Sequence, residues 1–228
     1  MRNIILISLV FMSNSLLSQS INQRLKAELD SILILDQAPR ALMDTNINSE
    51  KKAALLLKLN ISEQDFYKNP WGIIIKNDSI NLKKVLNIID KHGYPGKSLV
   101  GEPTNKTVWY VIQHSNKIGK YLPIIKKAGE QKELPMTLVA MMEDRYLMEI
   151  GKEQIYGTQI YGGNITDKKT GKKSRKYIVW PIKNPDKVNT LRKSIGYKQS
   201  VEDYALELDV AYKVYNLVQV KEMFDKLK

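Results

Sequence analysis

Beyond the first twenty residues, apolar positions recur mostly at steps of three and four, the spacing of a helix with one buried face. Ile21, Leu25, Leu29 and Ile32 form the first stripe, Asp36 follows it, and Pro39 is expected to end or kink that helix. A second helix is predicted over Glu50 to Leu59, where Ala53, Leu56 and Leu57 share a face. Asn77 or Asp78 is read as the cap of a third, which carries Ile80, Leu82, Val85, Leu86 and Ile89 to a stop at His92-Gly93. The glycines and prolines between Gly93 and Pro103 make an irregular connection to a helix from Val108 to about Ile118. Pro135 opens another, with Leu138, Met141, Met142, Arg145 and Met148 on adjoining faces.

After Gly151 the period changes. Gln154 to Ile165 alternates imperfectly, Tyr177 to Ile182 is β-branched and aromatic, and a lysine-rich turn separates them, so a β-hairpin is expected over about 154–182. Asn184-Pro185 and the Ser200–Asp203 pair have the form of helix starts, giving two closing helices. The predicted fold is mainly α: a single helical domain over residues 21–228 with one small antiparallel hairpin inserted before the last two helices.

Residues 1–20 are of another kind. Arg2 supplies a short basic start, Ile4 to Met12 are apolar apart from Ser8, and Ser13 to Ser20 are mostly small and polar, with Ser18 and Ser20 offering a small-x-small cleavage pattern. This succession reads as a secretory signal peptide, and the apolar run is far short of the ~20 residues that span a bilayer, so no transmembrane helix is expected. The chain is expected to be exported, to the periplasm or beyond the cell.

The 228-residue composition is that of an ordinary globular protein, with 43% hydrophobic and 26% charged residues. There is no cysteine, which removes disulfides and thiol nucleophiles. The formal charge is +12, and six basic residues (Lys168, Lys169, Lys172, Lys173, Arg175 and Lys176) crowd one segment. That segment contains the turn chemistry of Asp167 to Gly171, so it reads as a solvated hairpin tip, and nucleic acid is not expected as a partner.

Familiar catalytic motifs are missing. Gly93 to Ser98 (GYPGKS) resembles the end of a phosphate-binding loop, but the required first glycine falls at Lys91. With only His92 and His114, a metal site would need carboxylates to complete it, and no metal or cofactor is expected.

The remaining polar candidates are few. His114 shares a helical face with Tyr110, Val111, Ile118 and Tyr121, and is either a core histidine held by a carbonyl or carboxylate, or an acid–base group. Gln113 borders it. Asp144 and Arg145 lie in an apolar helix where at least one must point inward. Asp36 and Asp144 are the candidate partners of Arg145, which is read either as half of a buried ion pair or as an anion-binding fork. In a strand, Gln154, Tyr156 and Thr158 would project to one face, with Gly157 permitting a close approach.

Taken together, DQxxR at Asp36 to Arg40, KHGYPGKSLVGE at Lys91 to Glu102, WYVIQH at Trp109 to His114 and DRYLMEIGKEQIYGTQ at Asp144 to Gln159 resemble an uncharacterised bacterial family defined as a domain of unknown function, DUF6624-like. The resemblance implies a bacterial origin. It also implies that Asp36, Gln37, Arg40, His114, Asp144, Arg145, Gln154, Tyr156 and Gln159 are copies of the family's polar signature. It implies no reaction.

Two functions from different classes follow. The first is a non-catalytic binding module whose Arg145, Gln113, Gln154, Tyr156, Gln159 and Arg40 take a small molecule or peptide. The second is a hydrolase-like enzyme using His114 as general acid or base, Asp36 or Asp144 to orient it, and Arg145 or Gln154 to stabilise developing negative charge. The lean is to the first, and the sequence leaves the oligomeric state open.

Overall fold

The computed structural model describes residues 20–225, so the segment expected to direct export falls outside it except for Ser20. Eleven helices are present among these residues: α1 (Gln23–Leu42), α2 (Ser49–Leu59), α3 (Glu63–Lys68), α4 (Pro70–His92), α5 (Lys97–Val100), α6 (Thr107–Gln113), α7 (Ile118–Glu130), α8 (Met136–Glu149), α9 (Val188–Ser194), α10 (Val201–Glu207) and α11 (Leu217–Met223). One antiparallel hairpin, β1 (Ile160–Thr166) with β2 (Lys173–Val179), pairs Ile160 with Val179 and Thr166 with Lys173. The fold is mainly α, with the hairpin ahead of the closing helices. None of the described helices is long and apolar enough to cross a membrane.

Sequence explains most of the helix starts. Asn22, Asn48, Ser62, Asn69, Ser200 and Asn216 each accept a backbone N–H from the first turn of the helix they precede, which relieves donors that have no partner inside the helix. The Asn69-Pro70 pair starts α4, with proline at a position whose N–H would be unused anyway. Asn77 and Asp78 are therefore interior to a 23-residue helix and cap nothing.

Helix α1 packs on α2, α4 and α6, while α7 packs on α8. The main core joins Leu25, Leu29 and Ile32 of α1 to Val85 and Ile88 of α4, Val108 and Ile112 of α6, and Val139 and Met142 of α8. A satellite core gathers Leu42, Leu56 and Phe66. At the base of the hairpin, β2 and the residues after it alternate between two cores. Val179 and Ile182 face Val188, Val201 and Ala205, whereas Ile178 and Trp180 face Val220 and Phe224. The far half of the hairpin is solvated, with Lys168, Lys169, Lys172, Lys173 and Arg175 all exposed. Asp167 closes its turn by accepting the Lys169 and Thr170 N–H groups and the Thr170 hydroxyl.

Further expectations change, and three helices (α9, α10 and α11) rather than two follow the hairpin. Pro39 neither ends α1 nor separates Asp36 from Arg40, because the helix runs through it to Leu42. The helix expected from Val108 to Ile118 is two helices. Ser115 breaks it, donating its hydroxyl to the Ile112 carbonyl and accepting the Lys117 N–H, so His114 becomes the C-cap of α6. Residues 154–159 are not a strand facing one way. They form an irregular segment tied to the hairpin base by a parallel bridge between Gln154 and Ile182.

Candidate functional site

Two polar constellations emerge, with different characters. The first is internal. Asp144, fully buried on α8, accepts the backbone N–H groups of Ile155, Tyr156 and Thr158 and the Thr158 hydroxyl, at 2.7 to 3.1 Å. Burial pushes its carboxyl above the ordinary range, against the pull of those donors. The Gln154 amide is equally committed, donating to the Gln159 and Trp180 carbonyls and accepting the Gln159 N–H. Gln159 donates to the Met141 carbonyl and to Thr158. The polar atoms of QIYGTQ thus hold the segment in shape, and Asp144 is its anchor.

Arg145 lies elsewhere than expected. Its side chain is 38% exposed and its Nε stands 3.7 Å from Glu149 on the next turn, so it pairs with neither Asp36 nor Asp144. The buried arginine is instead Arg192 on α9. Its guanidinium lies over the rings of Tyr197 and Tyr204, 4.5 and 5.2 Å from their centroids, and it donates to the carbonyls of Gln199 and Tyr156. The Tyr156 side chain is half-buried, and burial pushes its hydroxyl up, with Glu143 and Asp144 adding to the effect.

The second constellation lies where α1, α4 and α6 meet. Along α1 the positions Leu25, Leu29, Ile32 and Asp36 continue one buried stripe. Along α4 the stripe is Ile74, Asp78, Asn81, Val85 and Ile88, in steps of four and three. Polar residues therefore occupy core positions on two facing helices. Arg40 donates from Nη1 to the Asp36 carbonyl at 2.7 Å and from Nη2 to both oxygens of Asp78 at 2.8 Å. His114, brought in by the end of α6, places Nδ1 3.3 Å from Asp36 Oδ1, and Gln37 donates to the other oxygen of Asp36.

Asp36 is sealed, whereas the side chains of His114, Arg40 and Asp78 are 20%, 25% and 25% exposed, so the cluster has a buried floor and a solvent edge. His114 is accordingly not enclosed among Tyr110, Ile118 and Tyr121. Gln113, half-buried, is the last residue of α6. Of the residues anticipated from sequence, Asp36, Arg40 and His114 are brought together; Asp144, Gln154 and Gln159 form the internal network, and Arg145 joins neither. Asp78 and Asn81 were missed. Their signal was there to read, as two polar residues in register with an apolar stripe.

The phosphate-loop lookalike resolves in the same plain way. Lys97 N–H donates to the backbone carbonyl of Glu133 and Ser98 N–H to its carboxylate, so an internal acid takes the place of an anion.

A family of unknown function (DUF6624) matches residues 49–217, most of the chain. No curated protein and no solved structure matches it.

Proposed function

The chain belongs to the DUF6624 family, and we propose that the junction of α1, α4 and α6 is its functional centre, a site for a small polar ligand. The observation that carries this reading is the convergence of Asp36, Arg40, Asp78 and His114 from three helices onto one spot with a solvent edge. Burying charge is costly unless it is paired, and a fold needing only packing at these positions would place apolar residues in both stripes. Arg40 and Asp78 offer a fixed donor and acceptor at the rim, suited to a ligand bearing both polarities.

A thermal-shift screen of metabolites, short peptides and cell-wall fragments tests the reading. A hit should stabilise the wild-type protein and Arg145→Met equally, and lose its effect in Arg40→Gln. A hit indifferent to Arg40 would move the site elsewhere.

The Asp36–His114 contact favours a second reading, hydrolysis. With Asp36 accepting from Nδ1, the imidazole would carry its lone pair on Nε2 and take a proton from water, while Arg40 stabilises the charge that develops. Under this reading His114→Gln binds the ligand but does not turn it over. We also propose that the protein works after export, on the strength of the basic, apolar and small-residue succession of residues 1–20. A mature N-terminus near Ile21, found by mass spectrometry of protein from its native host, would support it, and an intact Met1 would refute it.

A further inference from the structure

We infer that Asp36, Asp78 and His114 hold a divalent metal ion, with Asn81 contributing its amide oxygen. The inference rests on the reading of this junction as the ligand site and names what the site takes first.

Each of the three residues offers one donor atom, and those atoms all lie within 4.8 Å of one another. Donors sharing an ion at bonds of about 2.0–2.2 Å stand roughly 3 to 3.5 Å apart. His114 Nδ1 and Asp36 Oδ1 already have that spacing, at 3.3 Å. Small side-chain adjustments bring in Asp78.

Asn81 supplies the independent sign. It is fully buried, and neither its Oδ1 nor its Nδ2 has a hydrogen-bond partner. A buried amide with both ends unmet is rare and asks for an explanation. Its place in the fold follows from its neighbours on α4. Asp78, three residues before it, reaches Arg40 of α1, and Asn77, four before it, reaches the Leu35 carbonyl of α1. The start of α1 lies beside the end of α4, so the two helices run antiparallel. Asn81 therefore lies one turn beyond Asp78 on the stripe of α4 that faces α1.

The charge balance agrees. Two carboxylates face one guanidinium, leaving a net negative charge at a partly desolvated place that a cation offsets. Arg40 does not block the ion, because each carboxylate oxygen has two lone pairs and Arg40 uses one on each oxygen of Asp78. With metal bound it becomes the outer partner that orients a ligand, as does Gln37 for Asp36. Imidazole with hard oxygen donors suits Zn²⁺ or Mn²⁺ and not a soft ion such as Cu⁺.

Calorimetric titration of untagged, chelator-treated protein with Zn²⁺, and separately with Mn²⁺, tests the site. One saturable equivalent per chain is expected for at least one ion, weakened at least tenfold in His114→Ala and in Asp36→Asn, and unchanged in His92→Ala. Asn81→Leu should weaken it less. Loading with Co²⁺ should give a visible ligand-field spectrum that His114→Ala alters, and this readout stands if Asp36→Asn fails to fold. Absence of saturable binding, or binding indifferent to His114, overturns the inference. Ligand-induced stabilisation that persists in chelator and needs Arg40 would then keep the ligand site while removing the metal. If no hit needs Arg40 either, both readings fall.

Discussion

Asn77 donates its side-chain amide to the carbonyl of Leu35 at 3.1 Å, the carbonyl that Pro39 leaves without a donor inside α1. Proline has no N–H to offer four residues back, and its cost within a helix comes partly from that loss. A neighbouring helix makes it good. Helix α1 continues past Pro39 to Arg40, which meets Asp78 next to this hydrogen bond.

A double-mutant cycle on Asn77 and Pro39 checks this. Asn77→Ala should cost about 1 kcal/mol in denaturant unfolding, the usual scale for a lost hydrogen bond. In a Pro39→Ala background the helix supplies its own N–H, and the same change should cost clearly less. Strict additivity of the two changes would show that the bond and the proline are unrelated.

Asp144→Asn should be among the most damaging substitutions in the protein. A carboxylate accepts all four donors at once, whereas an amide turns an NH₂ group against some of them. A loss of about 3 kcal/mol or more is expected, since removing one partner leaves buried donors unmet. Hydrogen exchange should show residues 155–158 losing protection first; a variant of normal stability would mean that other contacts hold the segment.

Arg192→Met and Arg145→Met should diverge. The first abandons two backbone carbonyls and the contacts with the Tyr197 and Tyr204 rings, with an expected loss of about 2 to 4 kcal/mol. The second removes a half-buried side chain that stands 3.7 Å from its ion-pair partner Glu149 and should cost less than about 1 kcal/mol. Equal losses would contradict the placement of either residue.

At the hairpin tip, replacing Lys168, Lys169, Lys172, Lys173, Arg175 and Lys176 with serine should leave unfolding free energy within about 0.5 kcal/mol of the parent. Asp167 closes the turn through backbone groups that these lysines do not provide. A large destabilisation would show that the cations hold the tip after all.

What the sequence revealed follows the range of the interaction involved. The stripe Leu25, Leu29 and Ile32 announces α1 because its information is local, and the turn at Asp167 is local too. His114 and Asp36 are 78 residues apart and their contact is invisible to periodicity. Local chemistry also misled where two uses compete. Asn77 and Asp78 are good capping residues, yet α4 starts earlier at Asn69-Pro70, and their side chains are spent on α1. Arg192 follows Leu191 on a short helix, and nothing local marks it as buried. Its burial depends on Tyr197 and Tyr204, supplied by the turn and helix that follow.

The loop on Asp144 carries a lesson for redesign. Its path is written in main-chain N–H groups, which every residue but proline possesses, so the side chains of Ile155 and Tyr156 are free to differ without rerouting the chain. Gly157 is not, since its φ of +66° suits glycine and a Cβ there would meet Val201. Thr158 is also fixed, by the hydroxyl it gives to Asp144. A combinatorial library confined to positions 155 and 156 would therefore vary chemistry on a frame that holds still, whether the tinkering is done by an engineer or by descent.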